Sequence, residues 1–293
     1  MRDCAGALGR VASAVLRRFV ILLVLLVASC APEKPQMPAI AAASPAADQD
    51  HAVPDKAPAA ASPVESKPEA PSAAPRVVRI SLQGIAISAV TFDSRTHRIA
   101  IVDQAGGPGA TFADARAAAA SRGGIAAVNG GFFTPEGAPL GLVVSGGKRA
   151  GSINRASSLG AGYYSDVGSP ALVRRESWSG GASEALQSGP FLLEHGKAIR
   201  GLSSASSSSR TFIGWDGGTR WFIARSGACS LAGLAQALAG TEIGGVKART
   251  VLNLDGGRSS DLWISPTVEG GPVTERPFWN KPVRNFLVLV PRR

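Results

Sequence analysis

The chain has 293 residues, a formal net charge of +10, 6% aromatic residues, three cysteines and three histidines. So few cysteines exclude a disulfide scaffold, and so few histidines argue against a histidine-rich metal site. The basic balance favours an anionic partner, but the arginines are spread and few aromatics interleave them, so nucleic acid is not expected.

In chain order, residues 1–29 carry Arg2, Arg10, Arg17 and Arg18 ahead of the apolar run 19–28. A transmembrane helix needs about 20 apolar residues, so this pattern reads as a secretory signal rather than a span. Val27-Ala28-Ser29-Cys30 resembles a bacterial lipobox, which implies cleavage before Cys30 and lipid attachment there. Residues 30–75 are rich in Ala and Pro and hold no aromatic residue. Such a stretch lacks the apolar surface to offset its ordering entropy, so it is expected to be an extended tether. These readings place the chain in the bacterial cell envelope, lipid-anchored on the periplasmic side or at the outer membrane, with the membrane as partner through Cys30.

Residues 76–293 form one domain's worth of sequence, with 24 Lys plus Arg against 14 Asp plus Glu. Apolar or alternating stretches at 77–82, 85–92, 98–102, 125–128, 141–144, 191–193, 211–215, 221–224, 251–254 and 286–290 predict strands. Two helices are predicted. One is an alanine-rich segment opened by a capping-box-like Thr111-Phe112-Ala113-Asp114 and closed at Gly123; the other is capped by Ser230 and puts Leu231, Leu234 and Leu238 on one face. Strict strand-helix alternation is absent. The expected fold class is therefore α+β, a single domain around a mainly antiparallel or mixed sheet with a few packed helices. Cys229, alone in the mature domain, is expected to be a small packing residue.

Twice an apolar strand runs into a polar residue followed by two glycines. Ile125-Ala126-Ala127-Val128 leads to Asn129-Gly130-Gly131, and Val251-Leu252-Asn253-Leu254 leads to Asp255-Gly256-Gly257-Arg258-Ser259-Ser260. Glycines there allow positive φ and a close backbone approach to an anion. Two strand ends far apart in sequence are expected to meet and form one pocket.

With Gly141-Leu142-Val143-Val144-Ser145-Gly146-Gly147-Lys148, Gln187-Ser188-Gly189-Pro190 and Ser209-Arg210-Thr211-Phe212-Ile213-Gly214, these blocks resemble the phosphodiester glycosidase family, in the family's order, from about Val77 onward. The resemblance implies a hydrolase that cleaves a sugar from the phosphate at its anomeric carbon, acting on a glycosyl phosphate or an anionic envelope glycan; no cofactor is expected, and nothing in the sequence supports a carboxylate-bound Ca or Mg ion. The resemblance assigns Asp255 the carboxylate at the anomeric centre, as nucleophile or base, and assigns Arg210 with the Gly256 and Gly257 amides the phosphate grip. Asn129, Thr211, Ser259 and Ser260 would orient hydroxyls and phosphate oxygens. Gly130 and Gly131 would shape the turn, and Ser188 and Gly189 would line the pocket. Arg258 departs from the family's third glycine, either closing a positive-φ position or adding a guanidinium to the pocket. Glu136 and Asp261 are both candidates for a second carboxylate. Two alternatives stay open: a non-catalytic envelope lipoprotein that binds glycan or exopolysaccharide, and a phosphodiesterase attacking phosphorus.

Overall fold

A computed structural model of the protein describes residues 74–292. The expected signal segment, Cys30 and all but the last two residues of the expected tether lie outside the described residues. Those described belong to one compact unit, Val64–Arg293.

The chain opens with β1 (Arg76–Leu82), β2 (Ile85–Asp93) and β3 (His97–Asp103), and α1 (Ala115–Ala120) leads into β4 (Ala126–Asn129). A run of short strands follows: β5 (Val143–Ser145), β6 (Lys148–Ala150), β7 (Gly162–Ser165), β8 (Ala171–Arg174), β9 (Ala185–Ser188), β10 (Phe191–Glu194) and β11 (Lys197–Ala198). Next come β12 (Thr211–Trp215), β13 (Arg220–Ser226), α2 (Leu231–Leu238), β14 (Glu242–Ile243), β15 (Val246–Lys247) and β16 (Thr250–Asn253). The chain closes with β17 (Leu262–Ile264), β18 (Val273–Glu275) and β19 (Asn285–Pro291).

Three antiparallel sheets hold most of these strands, ordered β1-β2-β13-β12-β16-β10-β11, β18-β17-β4-β19-β3 and β6-β5-β9-β7-β8. All ten predicted strand regions contain strands. The expected mainly antiparallel sheet with a few packed helices is present, but the α+β label fits only loosely: the domain is predominantly β, and the two α-helices among the described residues have only 6 and 8 residues. The alanine-rich helix is shorter than expected because it is capped at Asp114, whose carboxylate accepts from Ala117 N, and because the chain must turn at Gly123 and Gly124 to rejoin the sheet. A β-carbon on Gly124 would come within 2.3 Å of Val288 Cγ1. The second helix follows the sequence closely, with Ser230 accepting from Gly233 N at 3.0 Å and Leu234 and Leu238 buried.

The main core lies where the three sheets face one another: Phe92, Ile101, Val128, Leu186, Ile213 and Leu252 come from six different strands. Each such side chain taken from water stabilises the fold by about 1.5–3 kcal/mol. The helices seal the outer faces, α2 against Phe212, Phe222 and Val251, and α1 against Ala127, Phe286 and Val288. Cys229 packs under α2, a buried free thiol. The edge of the sheet at β3 is closed by Glu184, which precedes β9, and by Ser145 of β5: Ile101 N donates to the Glu184 carboxylate at 2.8 Å, and Ser145 Oγ donates to Ile101 O at 2.6 Å. An open strand edge is thereby denied to other chains. Among the described residues no helix is long and apolar enough to cross a membrane.

Candidate active site

β4 and β16 lie in different sheets, yet their C-terminal ends are joined: Asp255 N donates to Gly130 O at 3.0 Å. The two strand-end turns predicted to meet do meet.

Asn129 is the clamp. Its side chain is fully buried, with Nδ2 donating to Asp255 O at 2.7 Å and Oδ1 accepting from Asp261 N at 3.0 Å. The Thr211 hydroxyl, also buried, donates to the same Asp255 carbonyl. Two donors on one carbonyl fix the plane of the Asp255–Gly256 peptide, and with it the direction in which the Asp255 side chain leaves the backbone.

That side chain is half-buried at the mouth of the turn. Its Oδ1 accepts from Gly256 N at 2.9 Å, and the Ser259 hydroxyl also bonds the carboxylate. Burial pushes the Asp255 pKa above the ordinary carboxylate range, against the pull of Ser259, Gly256 and the Lys281 ammonium. Lys281 lies over the half-buried Phe133 ring, 5.3 Å from its centroid, and its backbone N donates to Arg258 O at 2.8 Å. The Lys281 ammonium thus acts on the carboxylate from its place over the Phe133 ring.

The glycines have packing reasons. A β-carbon on Gly130 would meet Asn285 Oδ1 at 2.1 Å, one on Gly131 would meet Gln187 O at 2.8 Å, and one on Gly256 would meet Ser209 O at 2.9 Å. Gly257 has φ +61, a left-handed conformation natural to glycine. The Gly256 and Gly257 amides, expected to grip phosphate, have partners within the protein: Gly256 N donates to Asp255 Oδ1, and Gly257 N to Ser209 O at 2.7 Å. A short 3-10 turn (Gly257–Ser259) draws these amides inward.

Arg210 is beside the turn, its Cδ 3.6 Å from where a Gly256 β-carbon would stand. Its Nε donates to Cys229 O at 3.3 Å and its Nη2 to Ser206 O at 3.2 Å, so the guanidinium also pins the serine-rich loop that leads into β12. Ser260 is buried, with Oγ donating to Ser209 O at 3.3 Å. Ser188 and Gly189 lie behind the turn rather than at its mouth; both are buried, and Ser188 Oγ donates to Asn253 O at 2.9 Å. Arg258 has no positive φ, and its exposed side chain donates from Nε to Trp279 O at 3.0 Å.

Of the two candidate second carboxylates, Asp261 is buried and accepts from Ala115 N, the first residue of α1, at 2.9 Å; burial raises its pKa. Glu136 is exposed on a turn, and its bond to Thr134 lowers its pKa. Sequence reasoning missed Lys281, Asn253 and Asn285. The last two are buried beside the turns, and each keeps one amide atom without a partner, Oδ1 and Nδ2 respectively. No local pattern marks Lys281, which is brought in from 26 residues beyond Asp255 by the return of the chain toward β19.

A separate cleft of about 370 Å³ lies at the other end of β16, among Trp215, Arg174, Glu194, His195 and Arg249. It contains none of the expected site residues, and its charged groups are already in contact: Arg174 with Glu194, and Arg249 with His195. Among the described residues, no three His, Cys, Asp or Glu side chains group so as to hold a metal ion.

The catalytic domain of zebrafish N-acetylglucosamine-1-phosphodiester alpha-N-acetylglucosaminidase, auto-inhibited by its pro-peptide, is similar to this chain, with a TM-score of 0.53 and 15% identity over 74% of this chain and 82% of that one. A hypothetical protein from Synechocystis is similar with a TM-score of 0.48 and 18% identity, over 74% of this chain and 61% of that one. At 15% identity the likeness to the zebrafish domain concerns the fold. No curated protein sequence matches. The sequence model of the phosphodiester glycosidase family matches residues 122–290, more than half of the chain and the span that holds both joined turns, Arg210 and Lys281, and the chain belongs to that family.

Proposed function

We propose that the protein is a hydrolase that cleaves the glycosidic bond of a sugar-1-phosphodiester, with Asp255 as the carboxylate at the anomeric carbon. The observation that carries this reading is the mounting of Asp255: a backbone carbonyl held by Asn129 and Thr211, and a half-buried carboxylate beside an ammonium. A carboxylate held in place before the substrate arrives stabilises developing positive charge at the sugar without reorganisation during reaction.

The bond between the anomeric carbon and the phosphate oxygen breaks, its electron pair leaving with the phosphate. Water supplies the hydroxyl of the released sugar and, overall, the proton of the phosphomonoester. A phosphate leaves readily, so cationic stabilisation matters more here than a strong general acid. Lys281 and Arg210 are the cations beside the turn and take the phosphate side. Asn129 and Thr211 act as positioning residues, because their polar groups are directed to the backbone. Ser259 holds the carboxylate. We place this activity in the cell envelope, on the strength of the signal-like and lipobox-like sequence ahead of the domain.

The test uses an alkyl phosphodiester of N-acetylglucosamine in oxygen-18 water. Label in the sugar is expected; label in the phosphate would show attack at phosphorus, and no turnover across several sugars would favour a glycan-binding lipoprotein.

A further inference from the structure

Among the described residues the most exposed large hydrophobic side chains are neighbours, Phe278 at 90% and Trp279 at 73%. They are the two central residues of a turn closed by Asn280 N donating to Pro277 O at 3.0 Å. Turn centres favour Gly, Asn, Asp and Pro, so Phe and Trp there answer to no local need. They form no part of the core either.

The turn is nevertheless braced. Arg258 Nε holds Trp279 O at 3.0 Å, Lys281 N holds Arg258 O at 2.8 Å, and Arg276 Nη2 holds Asn280 Oδ1 at 2.7 Å. Two of these contacts run to Arg258, inside the turn that follows Asp255. The aromatic tip and the candidate active site are therefore parts of one rim.

We propose that this tip docks the domain onto an anionic lipid surface, with Phe278 and Trp279 entering the interfacial layer. Three observations select lipid over other occupants. The two rings are perpendicular, at 85° with centroids 4.8 Å apart, so they offer no flat platform for a sugar ring. They project from a convex turn, which presents apolar surface outward as an inserting element does. The segment Arg276-Pro277-Phe278-Trp279-Asn280-Lys281 contains no acid; Arg276 is paired with Asp114 at 3.2 Å, which leaves Lys281 beside the rings and Arg258 at their base as the cations. Tryptophan suits the boundary between headgroups and acyl chains, and nearby Lys and Arg add attraction to anionic headgroups. Docking there carries the Asp255 turn toward headgroup depth. If the proposed hydrolase reading holds, on which this last step rests, the aglycone is a lipid and the substrate a lipid-borne glycosyl phosphodiester.

The domain 64–293 encloses its own core and lacks Cys30, so it tests the tip without a lipid anchor. Vesicles of phosphatidylcholine alone, or with about one-third phosphatidylglycerol, are sedimented with it. The expected result is at least about tenfold stronger partition onto the anionic vesicles, and loss of at least about tenfold in the Phe278→Ser/Trp279→Ser variant with an unchanged thermal melt. Equal partition onto both vesicles, no partition, or a double variant that binds as well as the parent overturns the proposal. Turnover separates the two readings. The double variant is expected to hydrolyse a soluble alkyl phosphodiester normally and a vesicle-borne one at least about tenfold more slowly. A domain that binds anionic vesicles but turns over nothing refutes the hydrolase reading alone, and an active domain that ignores vesicles refutes the docking alone.

Discussion

The turns after β4 and β16 are near twins in sequence and opposites in structure. Both follow an apolar strand, and both present a polar residue and two glycines. The first is sealed: Asn129, Gly130 and Gly131 are buried, Gly130 N donates to Asn285 O at 2.7 Å, and Gly131 N to Asn285 Oδ1 at 2.8 Å. The second is open, with Asp255, Gly256 and Gly257 half-buried and Arg258 exposed. The difference shows how one motif can serve as frame in one place and reactive edge in another. Asparagine, neutral and able to donate and accept at once, can be buried between a carbonyl and an N–H. A carboxylate buried as deeply would carry a desolvation cost of several kcal/mol.

The strongest way to break this comparison is Asp255→Asn, which keeps shape and removes charge. Turnover is expected to fall ~10³-fold or more, measured as kcat/KM on an alkyl glycosyl phosphodiester. Burial raises the pKa of Asp255 in the folded state, so the folded protein keeps its proton in a window where the unfolded chain has lost it. The stability this group contributes is present below its unfolded pKa and lost as pH rises through the folded one. At pH 8 the asparagine variant should therefore melt no lower than the parent. A normal rate in this variant would remove Asp255 from the mechanism.

Asn129→Ala attacks the frame instead. It strips one of two donors from Asp255 O and leaves the buried Asp261 N without its side-chain acceptor. A loss of about 2–3 kcal/mol is expected, with a melting temperature lower by on the order of 5 °C, checked by calorimetry. Activity should fall with it, because Asp255 is no longer aimed. An unchanged melt would mean that Asn129 is no clamp.

The pH profile sharpens the same contrast. The acid limb of kcat/KM should lie above the ordinary aspartate range, since the proposed chemistry needs Asp255 ionised and burial resists that. Lys281→Met removes a group that favours the ionised form, so the limb should move further toward neutral. A limb at or below the usual aspartate value in both proteins would sink the assignment.

The smallest effect is expected for Arg258→Gly, which restores the family's glycine at an exposed position with no positive φ. The cost should stay within about 0.5 kcal/mol, seen as a slight loosening of the turn carrying Trp279 in limited proteolysis. A large loss of activity would instead show that the guanidinium reaches the substrate.

The sequence by itself determined the strands with long apolar runs, the Ser230 cap, the meeting of the two turns and the family. All of these rest on local chemistry or on the order of short motifs. It could not show β7 and β9, whose Gly-Tyr-Tyr-Ser and Ala-Leu-Gln-Ser lack alternation because both are buried throughout within a sheet. Nor could it show that the alanine-rich helix has only 6 residues, since its end is set by the close approach of Gly124 to Val288 in the sheet. Only the tertiary structure decided which of two similar turns is sealed, that the Gly256 and Gly257 amides turn inward, and that the Lys281 ammonium acts on Asp255. Burial and approach across sheets are properties of the packed chain: they depend on what returns from elsewhere to cover a residue, and the residue's own neighbours in sequence do not encode it.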